Sequence, residues 1–283
     1  MASGQLELSP SEVTFLEVLH DSEESVIYKV SVHGMDCVMK VFHERPRQKW
    51  DPPENEVSLC MREVAAYQRL KAKGLCALGV VPNFYGFMTD IDVTYWPNLF
   101  PFNRDTPPDS LLPKAILIEY VPNMKQIELT NYMKERAETL RNTLFEMNQI
   151  NILHGDIYPR NMMVCSGGKE RVLWIDFDVS RTLPEDKSLT EEQQRWFDLE
   201  ARLMNTFVNN MAADAVEGKL HKAWPCYYDA TYTYWKRVKM GLSGWKRSNW
   251  PGPGVANADN EDSEDEDVGA IDDDQIPRPW MEF

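Results

Sequence analysis

Apolar and polar residues alternate with a period of two near the start of the chain, the spacing of half-buried strands. Strands are predicted over 14–19, 26–32 and 37–42, with His33-Gly34-Met35-Asp36 turning between the last two. From 56 to 73 the period lengthens to that of a helix, and Gly74 supplies a stop. Two further strands are predicted over 80–88 and 115–121. Between them, Pro97, Pro101, Pro107, Pro108 and Pro113 predict an irregular insertion over 90–113. A long amphipathic helix is predicted over 127–148. A short hairpin should follow, from Val164 to 172–175 around Ser166-Gly167-Gly168, and then helices over 191–212 and 227–240.

After Asn249 the periodicity ends. Pro251-Gly252-Pro253-Gly254 and a run of carboxylates over 259–274 predict a disordered tail over 249–283. Ser263, set among those acids, resembles a site for an acid-directed kinase. The tail carries much of the net charge of -15, and such a chain lacks the cationic surface of a general nucleic-acid binder. With 283 residues and 43% apolar content, a substantial core is expected. No apolar run is long enough for a bilayer, and the N-terminus lacks a signal-peptide pattern. Cys37, Cys60, Cys76, Cys165 and Cys226 include no Cys-x-x-Cys pair, so neither a zinc site nor a disulfide framework is expected. The expected setting is intracellular, cytoplasmic or nuclear, with no membrane partner.

The densest chemistry lies in His154-Gly155-Asp156-Ile157-Tyr158-Pro159-Arg160-Asn161, followed by Trp174-Ile175-Asp176-Phe177-Asp178. Phosphoryl transfer needs a carboxylate near the attacking hydroxyl, and an amide plus a carboxylate to hold metal against phosphates. Lys40 lies in the apolar string Cys37-Val38-Met39-Lys40-Val41, where an ammonium needs an anionic partner. Glu63 and Glu56, on the helix that follows, are both candidates.

Together these motifs resemble the protein-kinase-like superfamily, over about Phe15 to Met211. The resemblance implies an α+β bilobal fold. A small antiparallel sheet with one helix would occupy an N-lobe over 12–121, and a mainly helical C-lobe would occupy 122–248. It implies ATP and Mg²⁺ as cofactors and an unidentified hydroxyl acceptor, on a protein or a small molecule. Lys40, paired with Glu63, would contact the phosphates. Asp156 would align the acceptor hydroxyl, and Asn161 and Asp176 would hold metal. Ile118-Glu119-Tyr120-Val121 resembles the hinge between lobes. Val38 would help form the nucleotide site, the Glu119 carbonyl and Val121 amide would meet the adenine edge, and Ile118 would stand behind it.

The chain departs from the family pattern in three places. The expected phosphate-covering stretch, Leu19 to Val26, has no glycine and carries Asp21, Glu23 and Glu24. Gly155 replaces an arginine, and Tyr158 a lysine whose phosphate contact Arg160 would have to supply. The His-Gly-Asp form is similar to aminoglycoside- and choline-type kinases, and the whole set most resembles protein-kinase-like proteins of filamentous fungi. Asp178 replaces a glycine, either as a further metal ligand or as a cap of the next turn. Asp198 either ties down the catalytic loop, as a buried carboxylate does in kinases, or faces solvent. His154 is expected to brace the loop. The insertion, with Tyr95, Trp96, Phe100 and Phe102, is a lid, a partner surface or a self-packed loop. The late aromatic cluster, which includes Trp224, Tyr227, Tyr232 and Trp245, is expected to pack the second lobe. A phosphotransferase is the leading expectation, and a pseudokinase scaffold its rival.

Overall fold

The computed structural model describes residues 4–49, 51, 55–99, 111–166 and 170–227. The expected tail, its Ser263, the helix beyond Tyr227 and Phe100 and Phe102 of the insertion lie outside the described residues. The structure is α+β. Strands β1 (Val13–Asp21), β2 (Ser25–Val32), β3 (Met35–Phe42), β4 (Phe84–Met88) and β5 (Lys114–Glu119) build a five-stranded antiparallel sheet in the order β1-β2-β3-β5-β4.

Register decides what β3 presents to each side. Lys40 stands between Ile27 and Ile116, and Val38 between Lys29 and Ile118. Successive side chains alternate faces, so Val38, Lys40 and Phe42 share one face while Cys37, Met39 and Val41 share the other. Val38 and Phe42 join the larger core; Cys37, Met39 and Val41 join a second one. Burial on both faces explains the nearly unbroken apolar run in this strand.

The second core includes Ile91, Trp96 and Leu99 from the insertion, with Leu6 and Leu8 from the N-terminal segment packed against it. Trp96 is 6% exposed and Leu99 fully buried, so the described part of the insertion packs on the sheet and is not a lid. The N-terminal segment also pairs with the edge of β4: Leu6 donates to the Phe87 carbonyl at 2.8 Å, and Phe87 to that of Gly4 at 3.1 Å. A Cβ at Gly86 would lie 2.5 Å from the Gly4 carbonyl oxygen, so this close approach requires glycine.

The first helix, α1 (Leu59–Ala72), starts three residues later than its sequence period suggests, because Ser58 is its N-cap and accepts the Met61 amide at 3.2 Å. Its buried stripe is Cys60, Glu63, Val64, Tyr67 and Leu70, and Glu56 lies outside the helix. One turn, α2 (Leu75–Leu78), follows. Strand β4 begins at Phe84 instead of residue 80, just past Pro82, which cannot donate to a ladder. Strand β5 ends at Glu119, two residues short of its expected end.

The helix expected from 127 begins at 134. Before it come β6 (Met124–Gln126) and a 3-10 turn, Leu129–Asn131; Ile127 is drawn into sheet bonding by its amide's bond to the Met162 carbonyl at 2.8 Å. Helix α3 (Lys134–Gln149) leads to β7 (Ile152–Leu153). The expected hairpin is β8 (Met162–Cys165) with β9 (Arg171–Trp174), and β10 (Arg181–Thr182) pairs back on β7. Helix α4 (Glu191–Glu217) runs five residues past its expected end, and α5 (Trp224–Tyr227) is one turn. Among the described residues no helix is long and apolar enough to cross a membrane.

Candidate active site

Lys40, near the middle of β3, is 5% exposed. Its ammonium meets Glu63 at 3.0 Å, Asp176 at 2.5 Å and Asp178 at 3.0 Å. Glu63 reaches it because it lies on the buried stripe of α1, and it is itself 1% exposed. Its second oxygen accepts the Phe177 amide at 3.3 Å, which fixes α1 against the Asp176 loop. Burial works against the charged lysine, but Glu63, Asp176 and Asp178 outweigh it and hold its pKa well above the usual value. Burial also raises the Glu63 and Asp178 carboxyls, which Lys40 only partly offsets. At Asp176 burial pushes the same way, yet Lys40 prevails and the value falls. Three carboxylates thus face one ammonium; burial first, and then the neighbouring carboxylates, raise Glu63 and Asp178.

The β8–β9 hairpin brings Asn161 and Asp176 together. Met162 pairs with Trp174, so the residues flanking the hairpin meet, and the Ile175 amide donates to the Asn161 carbonyl at 3.1 Å. Asp176 adopts a left-handed backbone, φ 66°, a strained state for a non-glycine residue. Asp156 accepts the Asn161 amide nitrogen at 2.6 Å and the Arg160 guanidinium at 2.6 Å. Arg160 stacks over Tyr158, 4.5 Å from the ring centre.

His154 is fully buried. Its Nδ1 accepts the Asp156 amide at 3.3 Å, and its Nε2 lies 3.2 Å from the Ile175 carbonyl, so the imidazole ties the two loops together. Burial lowers its pKa and keeps it neutral. It also joins an aromatic column through Phe177, 4.8 Å away, to Tyr67 and Phe84.

The carboxylate that holds this loop is Glu200, not Asp198. Glu200 is fully buried in α4 and accepts the Gly155 amide at 2.8 Å, the His154 amide at 3.3 Å and the Asn148 side chain at 2.7 Å. Burial pushes its pKa up to about 7, against those three donors. Asp198 is exposed and bonds Gln194. The signal was present in the sequence: the buried stripe of α4 runs Phe197, Glu200, Met204, Phe207 and Met211, and Asp198 falls off it.

Val38 and Ile118 are paired neighbours on the face that carries Lys40. Glu119 and Val121 follow directly, and the Glu119 side chain is bound by Arg171 of β9 at 2.5 Å. The stretch expected to cover phosphates is a tight turn, tied to the end of β3 by the His43 amide, which donates to the Glu24 carbonyl at 2.9 Å. Ser22 donates its amide to the Ser25 carbonyl at 3.0 Å, and its hydroxyl accepts the amides of Glu24 at 3.3 Å and Ser25 at 3.1 Å. Val26 faces the second core, and Ile27 takes the position beside Lys40.

Oxygens of Glu63, Asp176 and Asp178 lie within 4.8 Å of one another. Both Glu63 oxygens already accept a bond, one from Lys40 and one from the Phe177 amide. Asp176, Asp178 and Asn161 carry the oxygen donor types that a hard cation such as Mg²⁺ takes. The chain matches no protein-family model and no curated protein sequence.

Proposed function

We propose that this chain is an ATP- and Mg²⁺-dependent phosphotransferase with a bilobal, protein-kinase-like fold. One observation carries the reading: Lys40 of β3, Glu63 of α1 and Asp176 after β9 meet within 3.0 Å although Lys40 and Asp176 are 136 residues apart. A buried lysine held by a helix glutamate beside an Asp–Asn metal set is what positioning and neutralising a triphosphate requires. With a triphosphate bound, Lys40 would exchange Asp176 for phosphate oxygens while Glu63 retained its bond to the ammonium. Asp156 accepts the proton of the acceptor hydroxyl. Arg160, now on Asp156, turns its charge to the transferring phosphoryl group. Asp176 and Asn161, with Asp178, would hold Mg²⁺, which would supply charge neutralisation. Val38 and Ile118 line the adenine slot, and the Glu119 carbonyl and Val121 amide meet its edge. The acceptor is a hydroxyl on a protein or a small molecule.

A rival reading, a pseudokinase acting as a nucleotide-binding or scaffold module, is favoured by the Ser22 turn, where the amides of Ser22, Glu24 and Ser25 are already bonded. Thermal melting with millimolar ATP and Mg²⁺ separates them from a simple scaffold: a bound nucleotide raises the midpoint by mass action. No shift with wild-type protein removes the nucleotide-dependent readings. A shift without phosphate release or transfer leaves the binding module.

A further inference from the structure

Two groups of contacts hold α1 from its opposite ends. At its start, Ser58 donates its hydroxyl to Glu44 at 2.8 Å, and Lys114 of β5 donates to the other oxygen of Glu44 at 2.6 Å. The Glu44 side chain is 2% exposed, so this joint is internal. Near its end, Arg69 makes the second group of contacts. One guanidinium nitrogen donates to the Ile150 carbonyl at 3.0 Å and to the Leu183 carbonyl at 2.7 Å. Ile150 lies just before β7, on the approach to His154 and Asp156, and Leu183 lies just after β10.

That second region is itself fastened. Leu183 donates its amide to the Asn151 carbonyl at 2.9 Å, Asn151 donates to that of Pro184 at 3.0 Å, and Lys73 binds Glu185 at 2.6 Å. Arg69 therefore spans three elements with one donor atom: the helix that carries Glu63, the strand that leads to Asp156, and the segment that leaves Asp178.

We infer that Arg69 is a positioning residue that sets the register of Glu63 against the Asp176–Asp178 loop. The cleft is then assembled in the free protein. The inference concerns the regulation of the proposed phosphotransfer site, but its test needs no turnover. The reporter is the Phe177 amide, whose partner is the Glu63 carboxylate.

Hydrogen exchange of the full chain, free of nucleotide, is followed by mass spectrometry with fragmentation. Arg69→Ala should raise exchange at Phe177 and Leu183 about tenfold or more, with Ile116 and Met39 in the sheet unchanged. Arg69→Lys keeps the charge but cannot match the guanidinium geometry; it should fold and shift Phe177 in the same direction by less. Lys73→Ala, which removes only a surface pair, should leave Phe177 unchanged. Unchanged Phe177 exchange in both Arg69 variants overturns the inference. So does a rise spread evenly over the sheet, which would make Arg69 a residue of general stability. Absence of ATP binding by the wild-type chain would defeat the phosphotransferase reading and leave this result standing.

Discussion

Gly155 lies so close to Val179 that a Cβ at position 155 would sit 2.9 Å from the Val179 carbonyl oxygen. With φ at +79°, the position also demands a left-handed backbone. The His-Gly-Asp form therefore has a local cause. The segment leaving Asp178 runs directly over the loop, where an arginine side chain would have to pass through it. Gly155→Ala should cost about 2 kcal/mol of stability from backbone strain, and more if Val179 cannot move. Urea unfolding measures it, and a loss under about 0.5 kcal/mol would contradict this packing.

Lys40→Met should destabilise the chain by about 3 kcal/mol at neutral pH, because the buried Glu63 and the half-buried Asp176 and Asp178 lose their shared cation. The deficit should shrink towards pH 5, as protonation relieves Glu63 and Asp178, whose values are raised already. The same variant should lose any ATP-dependent rise in melting temperature. Equal stability of variant and wild type at both pH values would refute the charge assignment.

Asp156→Asn should leave the nucleotide-dependent thermal shift in place and lower turnover by about 10²-fold or more. Its carboxylate meets Arg160 and Asn161 but not Lys40, so binding and proton acceptance are separable here. Phosphate transfer at the wild-type rate would remove Asp156 from its role.

Glu200 sets a pH dependence of known sign. Its folded value of about 7 lies above the ordinary 4.5, so the folded state binds the extra proton. The stability this contributes is complete below pH 4.5 and is lost as pH rises towards 7. Glu200→Gln cannot titrate. The advantage of wild type over this variant should therefore fall by about 2 kcal/mol between pH 5 and pH 7. His154 contributes with the opposite sign in both proteins, so the difference isolates Glu200. A constant difference across the range would place the Glu200 proton elsewhere.

Much of this arrangement was legible along the chain. Alternation located the strands, and the apolar setting of Lys40 called for an anionic partner, with Glu63 and Glu56 both open until α1 was seen to start at Leu59. The failures follow from information that only pairing supplies. Parity along β2 is set by its partner: only the pairing of Ile27 with Lys40 shows which of its residues face the site. Asp198 and Glu200 differ by two positions, which on a helix is a turn of more than half a circle. The start of α3 was misplaced because Ile127 is apolar for the sake of a sheet, and an apolar residue beside a helix resembles one inside it. The N-terminal cover of the second core left no periodic signature, since Leu6 and Leu8 act from an extended segment against a distant β4.

Strand β3 belongs to two interiors at once, and mutagenesis should separate them like interleaved teeth. Truncating Cys37, Met39 or Val41 damages only the far interior and should lower melting temperature while ligand affinity, corrected for the folded fraction, holds. Truncating Val38 should weaken ligand binding beyond what instability explains. A scan of consecutive residues would then oscillate in phenotype with a period of two, a direct genetic image of the pleat.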